Sequence, residues 1–537
     1  MIRRLILGAG ALVAAAPVLA QDRGGAPDRH AVVAPYIEAS QTLDADLNGG
    51  DVLTYTTLAA GVDAAVGTAR TQGQASLRYE HRFSYDHYTG DQDFASGLVR
   101  ASTRLTPGLT LDVGGLATRT REDIRGAAPG LLTGNDPNIT QVYSVYGGPT
   151  LATQAGDVAV NAAYRAGYTK VRAPGDIGID GRARLDYFDH DVGQAATASA
   201  GLAAGTVLPV GLTLSGGWQQ DRASQLSQHF DDYYGRGDVL LPVLPTLALA
   251  GGAGYEKLTV SQKDPVLTAA GTPLVDANGR YVTNDAAPRR IAYRTEGVFW
   301  DAGVVWRPNH RTSLSAYAGH RYDSMSYTGQ LTYQASRSTA VAVQVYDQVT
   351  TFGHQLQDGL ANLPTSFIAA RDAFSQQYNG CVFSSSGSTP GGCLDSVFQS
   401  ITTASYRARG VDGTVSINRG LSTYGLGAGY ENRELFAPNV PLGALAYGQH
   451  DQSAYTQLFW GRQLSRVSGV QANLFADWYR SGAASSDDVW SYGATASYYH
   501  NFGRLGTTAT LGLYDFSQSG IRSQIAANAM LAARYTF

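Results

Sequence analysis

The chain has 537 residues, of which 44% are hydrophobic and only 16% charged, with a formal net charge of −4 and a mean hydropathy of −0.16. A mildly acidic balance argues against nucleic acid as a partner, and beyond residue 20 no run reaches the roughly 18 apolar residues that a spanning helix needs. If the chain enters a membrane it does so as a closed barrel, where alternate residues face lipid and hydropathy averages away along each strand.

The first element is a secretory signal over residues 1–20. Arg3 and Arg4 precede the apolar run Leu5 to Ala15, and Val18-Leu19-Ala20 is a small-residue site before Gln21. The competing reading, a buried core helix, does not explain that cationic start and small-residue exit. Residues 21–29 form a short segment, and residues 30–537 are read as the barrel. Its first strand begins near Ala31, which leaves no room for an N-terminal plug domain.

Strict alternation then recurs along the chain. Between Gln74 and Tyr85, Ala75, Leu77, Tyr79, Phe83 and Tyr85 share one face, while Arg78, Glu80 and Arg82 share the other. Val298, Trp300, Ala302, Val304 and Trp306 oppose Asp301 and Arg307; Val470, Ala472, Leu474 and Trp478 oppose Gln471, Asn473 and Asp477. Short turns at Pro107-Gly108, Gly156-Asp157, Pro245-Thr246, Asn418-Arg419-Gly420 and Phe502-Gly503 separate such strands. The longer connections run over residues 122–138, 172–191, 261–290, 350–402 and 431–450. Short turns face the periplasm and long loops the exterior in such barrels. The fold class expected is therefore all-β: one antiparallel transmembrane barrel of about 22 strands (18 to 24), with both termini periplasmic. In the last strand Leu531, Ala533, Tyr535 and Phe537 share a face, and the chain stops on that phenylalanine.

Taking the wet face of each strand as the lumen assigns Glu38, Asp63, Arg78, Glu80, Arg82, Arg100, Arg104, Asp112, Arg165, Asp301, Arg321 and Asp477 to the inner wall. The signs are balanced, which suits neutral or polar solutes, or cross-wall ion pairs, rather than a single-charge filter.

The terminal strand resembles the insertion signal that the barrel-assembly machinery reads. Pro35-Tyr36-Ile37-Glu38, Trp300-Asp301-Ala302-Gly303 through Trp306-Arg307-Pro308-Asn309, Arg311-Thr312-Ser313-Leu314 and Arg321-Tyr322 resemble outer-membrane β-barrels associated with exopolysaccharide and PEP-CTERM systems of proteobacteria. The resemblance implies a Gram-negative outer-membrane location, lipid and lipopolysaccharide around the wall, and polysaccharide or small polar solutes as cargo. No catalytic residues come with it, and residues 350–402 are longer than its pattern requires.

Chemistry-bearing residues are few. Cys381 and Cys393 are the only cysteines; in an exported chain they are read as a disulfide pinning the longest loop, worth on the order of 3 kcal/mol on a chain-entropy model. Helical patterning from Leu356 to Phe374, broken at Pro364, would let that loop lodge in the lumen or sit above the rim. Asp186, Asp189 and Asp191, and likewise Asp86-His87, are residue types of calcium or catalytic sites, although such groups in exposed loops are usually solvated. No nucleophile motif, cofactor signature or metal-ligand cluster is recognised. The expected function is a channel or export-linked conduit for polar solutes or polysaccharide, and not an enzyme. Alternatives are a structural or surface-interaction barrel with a loop-closed lumen and, third, a surface hydrolase.

Overall fold

The computed structural model describes residues 30–537 except 51, 86–91, 122–138, 173–187, 277–278, 370, 379, 386–389, 399–400, 437–449, 481, 483–487 and 519–522. The expected signal peptide, residues 21–29, Asp86-His87, Asp186 and most of three long loops lie outside the described residues.

Alternating sequence becomes strand because each pleat sends one residue to either side of the wall. Twenty-two strands, from 10 residues (Thr312–Arg321) to 20 (Arg290–Asn309), pair antiparallel with their chain neighbours. His30–Asp46 then pairs with Gln524–Thr536, from Tyr36 opposite Thr536 to Asp46 opposite Ala526, and closes the ring. No open edge is left, so every ladder is satisfied within the wall. The strand number expected from the alternation is met.

Both ends of the ring belong to the end of the barrel that carries the short turns. Those turns are tight because glycine takes the left-handed backbone: Gly108, Gly156, Gly420 and Gly503 have φ of 87°, 61°, 60° and 65°. Burial is inverted relative to a water-soluble core. Leu77, Tyr79, Trp300, Leu474 and Leu531 are exposed on the outside, whereas Arg78, Glu80, Arg100 and Asp477 are buried inside. Lipid covers the outer face of such a wall.

The long connection between the strands Thr339–Thr350 and Tyr406–Arg419 is folded and lies within the ring. It carries helix α1 (Phe352–Asn362), a small sheet of Phe367–Ala369, Cys381–Ser384 and Gly391–Cys393, and the one-turn helix α2 (Asp395–Phe398). Helix α1 starts four residues before the patterned stretch that sequence suggested. Thr351 caps it, its side chain accepting from His354 N at 3.2 Å, and the helix stops ahead of Pro364, which disfavours helical backbone before it. Leu356, Leu360, Leu363, Val382 and Leu394 form one apolar cluster with the inward wall residues Leu98, Leu116, Val142 and Val171. The strand Ser422–Leu435 also runs farther than sequence suggested, so Glu431 and Arg433 belong to the wall and not to the following loop.

Candidate functional site

Residues 351–405 form a plug, and polar contacts fix it at three depths. At the loop end of the barrel, Thr351 Oγ1 donates to Asp221 at 3.3 Å, and His354 lies 3.6 Å from Asp221 and 3.3 Å from Asp358, which is ion-paired with Arg165. Asp191, buried beside Gly353, faces the same helix terminus. Farther in, Arg433 pairs with Glu431 and donates to Ser396 O at 2.5 Å and Gln355 Oε1 at 3.1 Å. Arg100 donates to Leu363 O at 3.0 Å and Ala361 O at 2.8 Å. Toward the short turns, Thr414 and Ser416 donate to Gly391 O and Ser384 O at 3.2 and 3.3 Å, and Gln74 Oε1 accepts from Phe367 N at 2.9 Å. The plug therefore reaches from the rim almost to the turn end.

Most of the inner-wall charges named from sequence meet one another or the plug. Arg78 bridges Glu38 and Glu80 at 2.9 Å each, and Arg100 pairs with Asp112 at 2.6 Å. Asp63 lies 3.7 Å from Arg371 of the plug and is ion-paired with Arg534. Asp301 pairs with Arg236 at 2.9 Å, and Arg321 donates to Glu256 at 3.0 Å. Arg82 and Asp477 are buried, whereas Arg104 is exposed near the turn end. Cys381 and Cys393 are bonded to each other inside the plug. Leu531, Ala533, Tyr535 and Phe537 all face outward and exposed. Asp189 and Asp191 do not form a shared set: Asp189 pairs with Arg280 at 3.0 Å and His190 at 2.8 Å, while Asp191 turns into the lumen. Among the described residues, Cys381, Cys393 and Asp395 come together as a group of potential ligands, but the two sulfurs are committed to their own bond.

Sequence reasoning missed Asp221, His354, Glu431 and Arg433. His354 carries no local sequence signal that sets it apart within the long connection, and the two wall residues fall in what read as loop. The available signal was apolar: Leu98, Leu116, Val142 and Val171 face inward among polar neighbours, which water would not favour and a packed plug explains.

The His354 contacts make plug docking depend on pH. Burial opposes its charge, but Asp358 and Asp221 outweigh that and hold the imidazole well above its ordinary range. Because the docked value is raised, the stabilisation is fully present below about pH 6.5 and is lost as pH rises through the docked value. The groups facing His354 are Asp221, Asp191, Asp358 and, behind Asp358, Arg165. We expect protease cleavage within residues 351–362 to increase as pH is raised into the alkaline range, and His354→Gln to be cleaved faster at neutral pH with a flatter profile. A wild-type cleavage rate that does not change with pH would remove His354 from the docking account.

Among the described residues, the hydrogen bonds and ion pairs of segment 351–405 fall on wall residues before 229 or after 336. None reaches strands of the arc 229–336, whose inner face carries Arg236, Asp301, Arg321, Ser315 and Tyr317.

No family model and no curated protein matches the chain. Among solved structures, it is similar to the FrpB iron transporter from Neisseria meningitidis (F5-1 variant), at 9% identity, covering 94% of this chain and 82% of that one with a TM-score of 0.43. Pseudomonas aeruginosa OpdQ is 9% identical over 95% and 99%, with a TM-score of 0.29. The alcaligin outer membrane receptor FauA from Bordetella pertussis is 12% identical over 93% and 76%, with a TM-score of 0.37. At these scores none of them lends its cargo or mechanism to this chain. Its own geometry places it: a closed antiparallel barrel with an apolar outer belt is the form in which strands cross the bacterial outer membrane. The chain is an outer-membrane β-barrel protein of porin-like architecture.

Proposed function

We propose that the protein is a gated conduit for polar solutes, with residues 351–405 as its plug and the arc 229–336 as the wall along which solute passes. The observation that carries this reading is the one-sided plug: its described polar anchors lie on the rest of the ring, and the remaining arc presents paired charges and half-buried Ser315 and Tyr317. Balanced pairs such as Arg236 with Asp301 suit neutral or polar cargo better than a selective ion filter. In this reading the turn end and both termini face the periplasm, the plug enters from the exterior, and residues 1–20 are a cleaved export signal. Polysaccharide is the larger cargo that the resemblance of the barrel motifs suggests.

Thiol modification during bilayer recording tests it. Ser315→Cys should lose conductance when a charged, membrane-impermeant thiol reagent is added, whereas Ser416→Cys, sealed behind the plug, should not respond. Absence of conductance from every correctly folded barrel would favour a structural barrel with a closed lumen. Equal responses at the two positions would place the passage elsewhere.

A further inference from the structure

Buried arginines on the inner wall are, as a rule, saturated. Arg78, Arg100, Arg236, Arg407 and Arg433 each donate to a carboxylate. Arg82 and Arg119 break the rule. They are 7% and 2% exposed, and neither guanidinium makes a hydrogen bond among the described residues. Arg82 Nε, Arg119 Nε and Arg119 Nη2 are sealed from solvent with no acceptor. Glu80 is the carboxylate nearest both, at 4.0 and 3.8 Å, too far to accept, and it already accepts from Arg78. Aromatic faces hold the two cations in place. Arg119 lies 3.6 Å from the centre of the Phe94 ring, and Arg82 lies 4.2 Å from Tyr55 and 5.0 Å from Phe94.

Two adjacent buried cations with unmet donors are costly unless an acceptor completes them. The geometry points to an oxyanion-binding site at Arg82 and Arg119, near the loop end of the barrel, for a solute carrying a carboxylate or sulfate group. Guanidinium donors fit the paired oxygens of such groups, and Tyr55 and Phe94 fix the donors' planes in advance.

The plug packs against the same stretch of wall. Gln377 Oε1 accepts from Arg119 N at 2.7 Å, and Tyr378 N donates to Thr118 at 3.1 Å, so the segment from Asp372 to Tyr378 lies directly on this part of the wall. Asp372 of the plug, which accepts from Tyr514 at 2.9 Å, adds a negative charge that acts on Arg119. An anion bound at the two arginines would lie against this segment and is expected to displace it. Solute binding is thereby coupled to plug movement, a refinement that rests on the conduit reading above.

The test uses full-length protein in detergent, with citrate and inorganic sulfate as probes and glucose as the neutral control. Calorimetry should show binding of at least one anion and none of glucose. Hydrogen exchange across residues 372–378 should accelerate with the bound anion. Arg82→Gln and Arg119→Gln should each weaken binding by about tenfold or more, the scale of a lost charge-assisted contact. Citrate binding without sulfate binding would identify a carboxylate site, and the reverse a sulfate site. If Arg119→Gln does not fold, Arg82→Gln carries the test, since its side chain is the less enclosed. Absence of anion binding to wild type, or equal binding by the variants, overturns the site. Bilayer conductance of the same preparations separates the two ideas: binding without conductance would refute the passage and leave the anion site standing.

Discussion

Excising residues 355–398 should raise single-channel conductance severalfold and admit bulky antibiotics that the intact protein excludes. A ring of 22 strands is too wide for wall side chains to fill, and its lumen is narrowed by whatever is folded inside it. Here that is the segment from α1 to α2, which carries most of the apolar cluster facing Leu98, Leu116, Val142 and Val171. Removing it exposes those wall residues to water and leaves Arg100 without its acceptors at Ala361 and Leu363. Exposure of each large apolar side chain costs up to about 1.5 to 3 kcal/mol. The excised barrel should therefore melt earlier yet still assemble, because its closing ladders involve none of the deleted residues. Bilayer recording and an antibiotic susceptibility assay check this; unchanged conductance in a correctly inserted excision variant would show that the segment does not obstruct the lumen.

Arg433→Met should be the most damaging single substitution at the plug–wall contact. Arg433 and Glu431 are both almost wholly buried, and Glu431 also accepts from Gln355 Nε2 and Tyr346 at 2.7 Å. Removing the cation leaves a buried carboxylate whose remaining donors are neutral, a loss of about 3 to 5 kcal/mol. The strain is relieved if the plug withdraws and water reaches Glu431. We expect more frequent channel openings and faster protease cleavage within 351–405. The double variant Arg433→Met with Glu431→Gln should recover much of the docking, since it removes the stranded charge while keeping a partner for Tyr346. Equal disruption by the single and double variants would assign the effect to lost packing instead of the unpaired charge.

The wall was legible in sequence, whereas for residues 350–402 lodging in the lumen and sitting above the rim both stayed open, for one physical reason. A strand with lipid on one side must alternate, so Leu77, Arg78, Tyr79 and Glu80 disclose both the element and its orientation. Inside the barrel no such periodic rule acts. An inward arginine looks the same whether it meets water, another strand or a plug. Arg100 and Asp112 could be placed on the inner wall from sequence, but Arg100's bonds to Ala361 and Leu363 depend on contacts more than 250 residues apart in the chain. Glu431 and Arg433 were hidden because their neighbours Asn432 and Glu434 are also polar, which erases the alternation where the wall rises out of the apolar belt. The inward leucines and valines were the legible trace of the plug, and only when counted against their polar neighbours.

Cross-linking the plug to the turn end of the wall decides whether the lumen is filled. Ser416 Oγ donates to Ser384 O at 3.3 Å, although the long connection begins and ends at the opposite end of the barrel. With cysteines at both positions and the protein in intact outer membranes, mild oxidation should join Ser384→Cys to Ser416→Cys, recoverable as a single linked peptide, while Ser384→Cys alone stays protected from impermeant thiol reagents. No cross-link, together with ready labelling of Ser384→Cys from outside the cell, would place the segment above the rim and contradict a plugged lumen.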